Sequence, residues 1–373
     1  MKMKERILAV LRREKPDRIP FTIYTFLLPR SSIERQLRNM GLSLVELAVS
    51  VYGINTPNVK METAENLASF SLDDRYTCIA RQKHTVDRTY TTPTGRLSDR
   101  CKWGYAAFEW PIEWVIKDLG DYEVVKYVID NTEYFPNYED FVKMQNSMGD
   151  DGIAVMMTPK SPLQSMLLDL MGYTRFSLDY YSRRHEFEDL YAVLRKKQLE
   201  MYKIIADSPA EVVLMDENLN GMVTGPKLFE KYCMPFYEEV AQILHAKEKI
   251  LMAHMDGKLK CLRDLIGKTK IDVVEAFTPP PIGDLQIEEA RIAWKEKVIW
   301  ATFPATSSLE RDLDGVEAET LNILRRVAPG DGFIMGVTED IGDIKSTRYE
   351  EVLAAITETM MKHGEYPLSE RLS

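Results

Sequence analysis

His254-Met255-Asp256 sets an imidazole and a carboxylate two residues apart. On an extended segment, residues i and i+2 project to the same side, so this pair can address one ion together. Glu339 offers a third donor, and Glu275 a fourth, or else a partner that orients the ligands from behind. One imidazole with carboxylates is an acceptable set for Zn²⁺ with an open position. Fe²⁺ or Mn²⁺ would be served equally, since hard oxygens do not select zinc as thiolates would. The bland alternative is a buried, hydrogen-bonded His254 beside a turn aspartate that precedes Gly257. Asp216-Glu217-Asn218 forms a second polar group, suited to holding a substrate or moving a proton within hydrogen-bond reach. The other histidines (His84, His185, His245 and His363) read as surface or capping residues, and Cys233 and Cys261 as small core hydrophobes on helical faces.

These residues need elements to carry them. Short apolar runs near 18–24, 54–61, 152–157, 211–216, 249–254, 272–277, 298–303 and 332–337 read as strands. Their hydrophobicity is continuous rather than alternating, which predicts strands buried on both faces, as in a parallel sheet. Amphipathic stretches between them read as helices, one opened by Pro226 after Thr224-Gly225 and another running from Leu259 to Ile266. Eight strands with helical crossovers predict a single α/β domain over 1–373, a (β/α)8 TIM barrel. In such a barrel the active site lies at the C-terminal strand ends. Thr158-Pro159-Lys160, Asp216-Glu217-Asn218, His254-Met255-Asp256, Thr302 and Thr338-Glu339 all fall there, while Glu275 interrupts an otherwise apolar sixth strand.

Residues 76–100 alternate polar and apolar around a Pro93-Thr94-Gly95 turn signal, which predicts a β-hairpin inserted after the second strand. The aromatic stretch Tyr105 to Trp114 is expected to pack across the barrel mouth. The 48 basic and 58 acidic residues leave a net charge of −10 over 373 residues. An acidic chain argues against a nucleic-acid partner, which needs clustered cations. No apolar run approaches the roughly 20 residues that span a bilayer. Four irregularly spaced cysteines fit reduced thiols, so a cytoplasmic enzyme is the expectation.

Several segments together resemble the uroporphyrinogen decarboxylase superfamily, including its cobalamin-dependent methyltransferase branch. Glu5 to Leu11 with Lys15-Pro16-Asp17-Arg18-Ile19-Pro20 looks like the family's first helix and strand. Asn220 to Tyr237 is similar to its signature on the helix after the fourth strand. His254 to Gly257 matches its His-x-Cys-Gly position, and Gly332 to Ile341 its closing strand and loop. The resemblance implies the same barrel. It also implies a zinc site in which Asp256 and Glu339 stand where the methyltransferases have cysteines.

The arginine-rich loop of true uroporphyrinogen decarboxylases is replaced by Tyr24-Thr25-Phe26-Leu27-Leu28-Pro29-Arg30, and their Phe-Ser-Asp segment by Asn55-Thr56-Pro57-Asn58. A substrate with many carboxylates needs several cations, so that reaction is not expected. The resemblance implies metal-dependent methyl transfer between a small substrate, methoxylated or thiol, and a corrinoid carried on a partner protein. His254, Asp256, Glu339 and Glu275 would serve the metal, and Asp216, Glu217 and Asn218 the catalysis. Tyr24, Phe26, Tyr105, Trp110 and Lys160 would line the substrate pocket. A homodimer is compatible with this reading. Two alternatives stay open: a metal-independent decarboxylase of a smaller acid, and a non-catalytic corrinoid- or tetrapyrrole-binding protein.

Overall fold

The computed structural model describes residues 1–29, 31–48, 51–66, 85–103, 109–303, 309–339 and 346–368. Its strands, in chain order, are β1 (Phe21–Tyr24), β2 (Ser43–Ala48), β3 (Tyr52–Asn55), β4 (Lys60–Asn66), β5 (Thr85–Thr92), β6 (Gly95–Trp103) and β7 (Glu109–Glu113). They continue with β8 (Glu133–Pro136), β9 (Gly152–Thr158), β10 (Val212–Met215), β11 (Ile250–His254), β12 (Val273–Phe277), β13 (Val298–Thr302) and β14 (Phe333–Val337). The chain divides into two compact units. Met1–Val51, Tyr138–Thr158 and Ala206–Ser373 form the first, and Tyr52–Asn137 with Pro159–Ile205 the second.

The first unit contains a closed barrel of parallel strands in the order β1-β14-β13-β12-β11-β10-β9-β2. Every residue of β1, β10, β12, β13 and β14 is buried, as strands covered on both faces require. Inside the barrel the Trp300 indole Nε1–H donates to Thr22 Oγ1 at 3.0 Å. Gly336 faces that bond: a Cβ there would stand 2.7 Å from Trp300 Nε1 and 2.8 Å from Thr22 Oγ1. At the opposite edge two buried lysines tie strands together. Lys249, just before β11, donates from Nζ to the Ser208 and Ala210 carbonyls at 2.6 and 2.7 Å, just ahead of β10. Lys297, just before β13, donates to the Thr269 and Ile271 carbonyls, both at 2.8 Å, just ahead of β12.

The second barrel strand is Ser43–Ala48, not the expected 54–61. Ser31 caps an amphipathic helix (Ser32–Met40) by accepting from Ile33 N, and Gly41, at φ 119°, closes it, so an extended strand follows. Ser43 and Glu46 break the apolar run and hide the strand; in the fold Ser43 is buried and Glu46 accepts a hydrogen bond from the Thr25 hydroxyl. Tyr52–Asn55 instead pairs antiparallel with β8 in the second unit, with Ile54 exposed.

That unit also holds a four-stranded antiparallel sheet, β4-β5-β6-β7. Residues 76–84 of the expected hairpin lie outside the described residues. Over the remainder, β5 and β6 pair through the Pro93-Thr94 turn as the central strands of that sheet. Among the described residues, no helix is long and apolar enough to cross a membrane.

Candidate metal centre

All of the groups converging here belong to the first unit. β11 ends on His254, and Asp256 follows two residues later. The turn between them is tight: the Met255 N–H donates to the Glu275 carbonyl at 2.9 Å, and a Cβ on Gly257 would lie 2.5 Å from the Leu219 carbonyl. Only glycine lets the loop after β11 pack so closely on the loop after β10. Glu275 stands level with His254 on the neighbouring strand. There the β12–β13 register shifts between Val274 and Phe277, and Ala276 takes φ 55°, a left-handed conformation unusual for a residue with a Cβ. This bulge departs from strict in–out alternation, as bulges beside functional sites do. Glu339 sits two residues beyond β14.

One nitrogen or oxygen from each of His254, Asp256 and Glu339 can be chosen so that all three lie within 4.8 Å of one another. His254 Nε2 is 3.4 Å from Glu339 Oε1. That oxygen is buried and, among the described residues, has no hydrogen-bond partner. A tetrahedral ion with bonds of about 2.1 Å holds neighbouring donors roughly 3.4 Å apart, so the spacing and the orphaned oxygen both fit a divalent cation. One neutral imidazole and two carboxylates would also balance its charge. Behind the ring, His254 Nδ1 hydrogen-bonds Glu275 Oε2 at 2.7 Å, and the Tyr24 hydroxyl donates to Glu275 Oε1 at 2.6 Å. Both oxygens of the fully buried Glu275 are therefore engaged away from an ion, so its geometry is that of an orienting partner rather than a ligand.

The charges are strongly coupled. Burial opposes protonation of His254, but the negative charges of Glu275, Asp256 and Glu339 and the Glu275 hydrogen bond outweigh it, holding the imidazole pKa well above its ordinary value. Burial pushes the Glu339 carboxyl up to about 8; His254 draws it down, while Asp256, Glu275 and Asp216 add to the rise. Burial, then Glu275, keep the Tyr24 phenol protonated far above its usual range. A buried Glu339 carboxyl crowded by neighbouring carboxylates is compatible with a cation at this point.

The remaining expected residues are distributed differently. Asp216 lies close enough to act electrostatically on Glu339 and Tyr24. Glu217 is fully buried and accepts a hydrogen bond from the Tyr237 hydroxyl; Asn218 is exposed, at φ 45°. Phe26 stacks on Tyr24 with ring centroids 5.6 Å apart. Lys160 and Trp110 belong to the second unit, where Lys160 Nζ pairs with Asp169 at 3.2 Å and Trp110 is 62% exposed on β7. Tyr105 and His84 lie outside the described residues. Cys233 is buried as expected, but Cys261 is exposed, because its short turn, Lys260–Leu262, buries Leu262 instead. With the second barrel strand at Ser43–Ala48, Asn55–Asn58 follow β3 in the second unit rather than the end of a barrel strand.

A sequence-family profile described as uroporphyrinogen decarboxylase (URO-D) matches residues 111–357, about two thirds of the chain. The chain belongs to the uroporphyrinogen decarboxylase family. The match includes His254, Asp256, Glu275 and Glu339 and leaves Tyr24 outside. Among solved structures, the fold of this family member is similar to a methyltransferase from Methanosarcina mazei. They share 12% identity at a TM-score of 0.56, over 96% of this chain and 98% of that one. The tandem GH20 catalytic modules of the pneumococcal exo-β-D-N-acetylglucosaminidase match at 8% identity and a TM-score of 0.39, over 94% of this chain and 86% of that one, too distant to inform the site. No curated protein sequence matches the chain significantly.

Proposed function

We propose that this family member is a divalent-metal-dependent methyltransferase, moving a methyl group between a small substrate, methoxylated or thiol, and a corrinoid carried on a partner protein. The observation that carries the metal reading is the buried Glu339 oxygen, which has no hydrogen-bond partner among the described residues, lies 3.4 Å from His254 Nε2 and is grouped with Asp256. Methyl transfer is supported by the motif resemblance and by the methyltransferase of similar fold; the corrinoid and its carrier follow from the resemblance. Zn²⁺ or another divalent ion, when bound, would supply Lewis acidity to a substrate oxygen or lower the pKa of an acceptor thiol.

The chain's own residues do the rest. His254 Nε2, Asp256 and Glu339 bind, and Glu275 holds the imidazole from Nδ1. Asp216, close enough to act electrostatically on Glu339 and Tyr24, would position the substrate or take part in proton transfer. Phe26, stacked on Tyr24, would present an apolar surface to the substrate. Among the described residues no two cysteines form a disulfide, in keeping with a cytoplasmic setting.

A decarboxylase would use His254 as a proton donor and Asp216 or Asp256 to stabilise a cationic intermediate, but it assigns Glu339 no task. The test is elemental analysis of untagged protein purified without chelators, alongside His254→Ala. About one equivalent of zinc, iron or manganese, lost in the variant, is expected. Cob(I)alamin should then turn to methylcobalamin on addition of a methoxylated aromatic. A chain that neither carries nor takes up metal returns the assignment to decarboxylation.

A further inference from the structure

We infer that Tyr24 is a positioning residue of the metal centre, acting through Glu275 to hold His254 with Nε2 turned toward the ion. The inference rests on the metal reading above and adds a role for a phenol whose sequence expectation was the substrate pocket. Tyr24 ends β1, and β14 and β13 lie between β1 and β12 in the barrel order, so its hydroxyl meets Glu275 across the barrel interior. It is 2% exposed, so little of it is available to a substrate.

Each Glu275 oxygen has its own donor, Tyr24 at 2.6 Å on one and His254 at 2.7 Å on the other. A carboxylate's terminal torsion is soft and roughly two-fold, so one hydrogen bond leaves the group free to pivot, while two opposed donors fix its plane. Fixing that plane fixes the direction from which Glu275 accepts the Nδ1–H. This in turn sets the imidazole ring and leaves Nε2 as the nitrogen that faces Glu339.

The arrangement is a costly one. Glu275 is a fully buried acid on a strand otherwise built from Val273, Val274, Ala276 and Phe277, and its neighbour Ala276 adopts a left-handed conformation. A buried carboxylate is seldom better for stability than an apolar side chain of the same volume. The phenol, the acid and the bulge make sense together as a frame for the imidazole.

The test compares Tyr24→Phe, Glu275→Gln and the double variant with wild type. Zn²⁺ affinity is measured by competition with a chromogenic chelator, and ligand geometry by the visible absorption of the Co²⁺-loaded protein. Tyr24→Phe is expected to weaken Zn²⁺ binding about tenfold to a hundredfold and to shift the Co²⁺ bands, as loss of an outer partner does. Because both residues act along one path, the double variant should bind within about twofold of the weaker single variant. Tyr24→Phe binding Zn²⁺ as wild type does, with an unchanged Co²⁺ spectrum and intact circular dichroism, overturns the inference. So do losses that multiply in the double variant. A purely structural role would lower Tm and leave affinity unmoved.

If wild type binds neither ion, the metal reading falls. The phenol is then judged on metal-free protein by the His254 Nδ1–H proton resonance. Exchange with solvent at least tenfold faster in Tyr24→Phe supports positioning, and an unchanged rate overturns it. Should Tyr24→Phe fail to fold, Glu275→Asp, which withdraws the carboxylate by one methylene, replaces it in each measurement with the same expected losses.

Discussion

Glu339 stabilises the metal-free chain only while it carries a proton. Its pKa is raised to about 8, against an ordinary value of 4.5. A raised folded-state pKa gives stability that is fully present below the unfolded value and is lost as pH rises through the folded one. Denaturant midpoints of metal-free protein should therefore fall between about pH 4.5 and 8, and Glu339→Gln should flatten that fall while sharply weakening Zn²⁺ binding. A wild-type profile that is flat there, or that Glu339→Gln leaves unchanged, contradicts the crowding described for this site. His254, Asp256 and Glu339 were legible in the sequence because each is a metal-competent residue at or just beyond a strand end. Tyr24 was not, since no spacing rule signals a hydroxyl that spans the barrel. The sequence places Glu217 with Asp216 and Asn218 just after a strand; in the fold its carboxylate accepts from the Tyr237 hydroxyl, a partner that this placement does not reveal.

The strands carry their own tests. Gly336→Ala would push a methyl group to within 2.7 Å of Trp300 Nε1, and overpacking of this kind costs about 1–3 kcal/mol. A lowered Tm with the metal site still competent is the expected result. Lys297 is a buried ammonium whose pKa falls to about 8, from 10.5, chiefly through burial. A depressed folded-state value gives stability that is present above the unfolded pKa and lost as pH falls through the folded one. Wild type should accordingly gain on Lys297→Met as pH rises from about 8 to 10.5. Urea unfolding of both across that range would show the gap widen, and a constant gap would speak against a titrating Lys297. The apolar runs of seven barrel strands were readable directly. β2 was not, because Ser43 and Glu46 interrupt it, and neither the burial of Ser43 nor the hydrogen bond from the Thr25 hydroxyl to Glu46 is revealed by a local pattern.

For the molecule as a whole, ligand binding and folding are linked. An ion held by the folded chain and not by the unfolded one adds about 2.7 kcal/mol at a hundredfold excess over Kd. Calorimetry should show an unfolding transition that rises with Zn²⁺ and returns on chelation, and His254→Ala should abolish the dependence. The closed barrel could be anticipated from strand count and continuous burial, whereas the division into two compact units rests on pairings between distant segments that composition does not encode.

The two buried lysines bear on how the barrel can be divided. Lys249 fastens β11 to the approach to β10, and Lys297 fastens β13 to the approach to β12, so each clamp closes within one consecutive pair of strands. A chain severed after Lys258 would leave both ammonium groups with their own carbonyls, one in each fragment. Severed after Lys247, it would part Lys249 from Ser208 and Ala210. Co-expressed fragments should reassemble more readily from the first cut than from the second, with the strand pair, rather than the single strand, as the smallest self-sufficient piece of this wall.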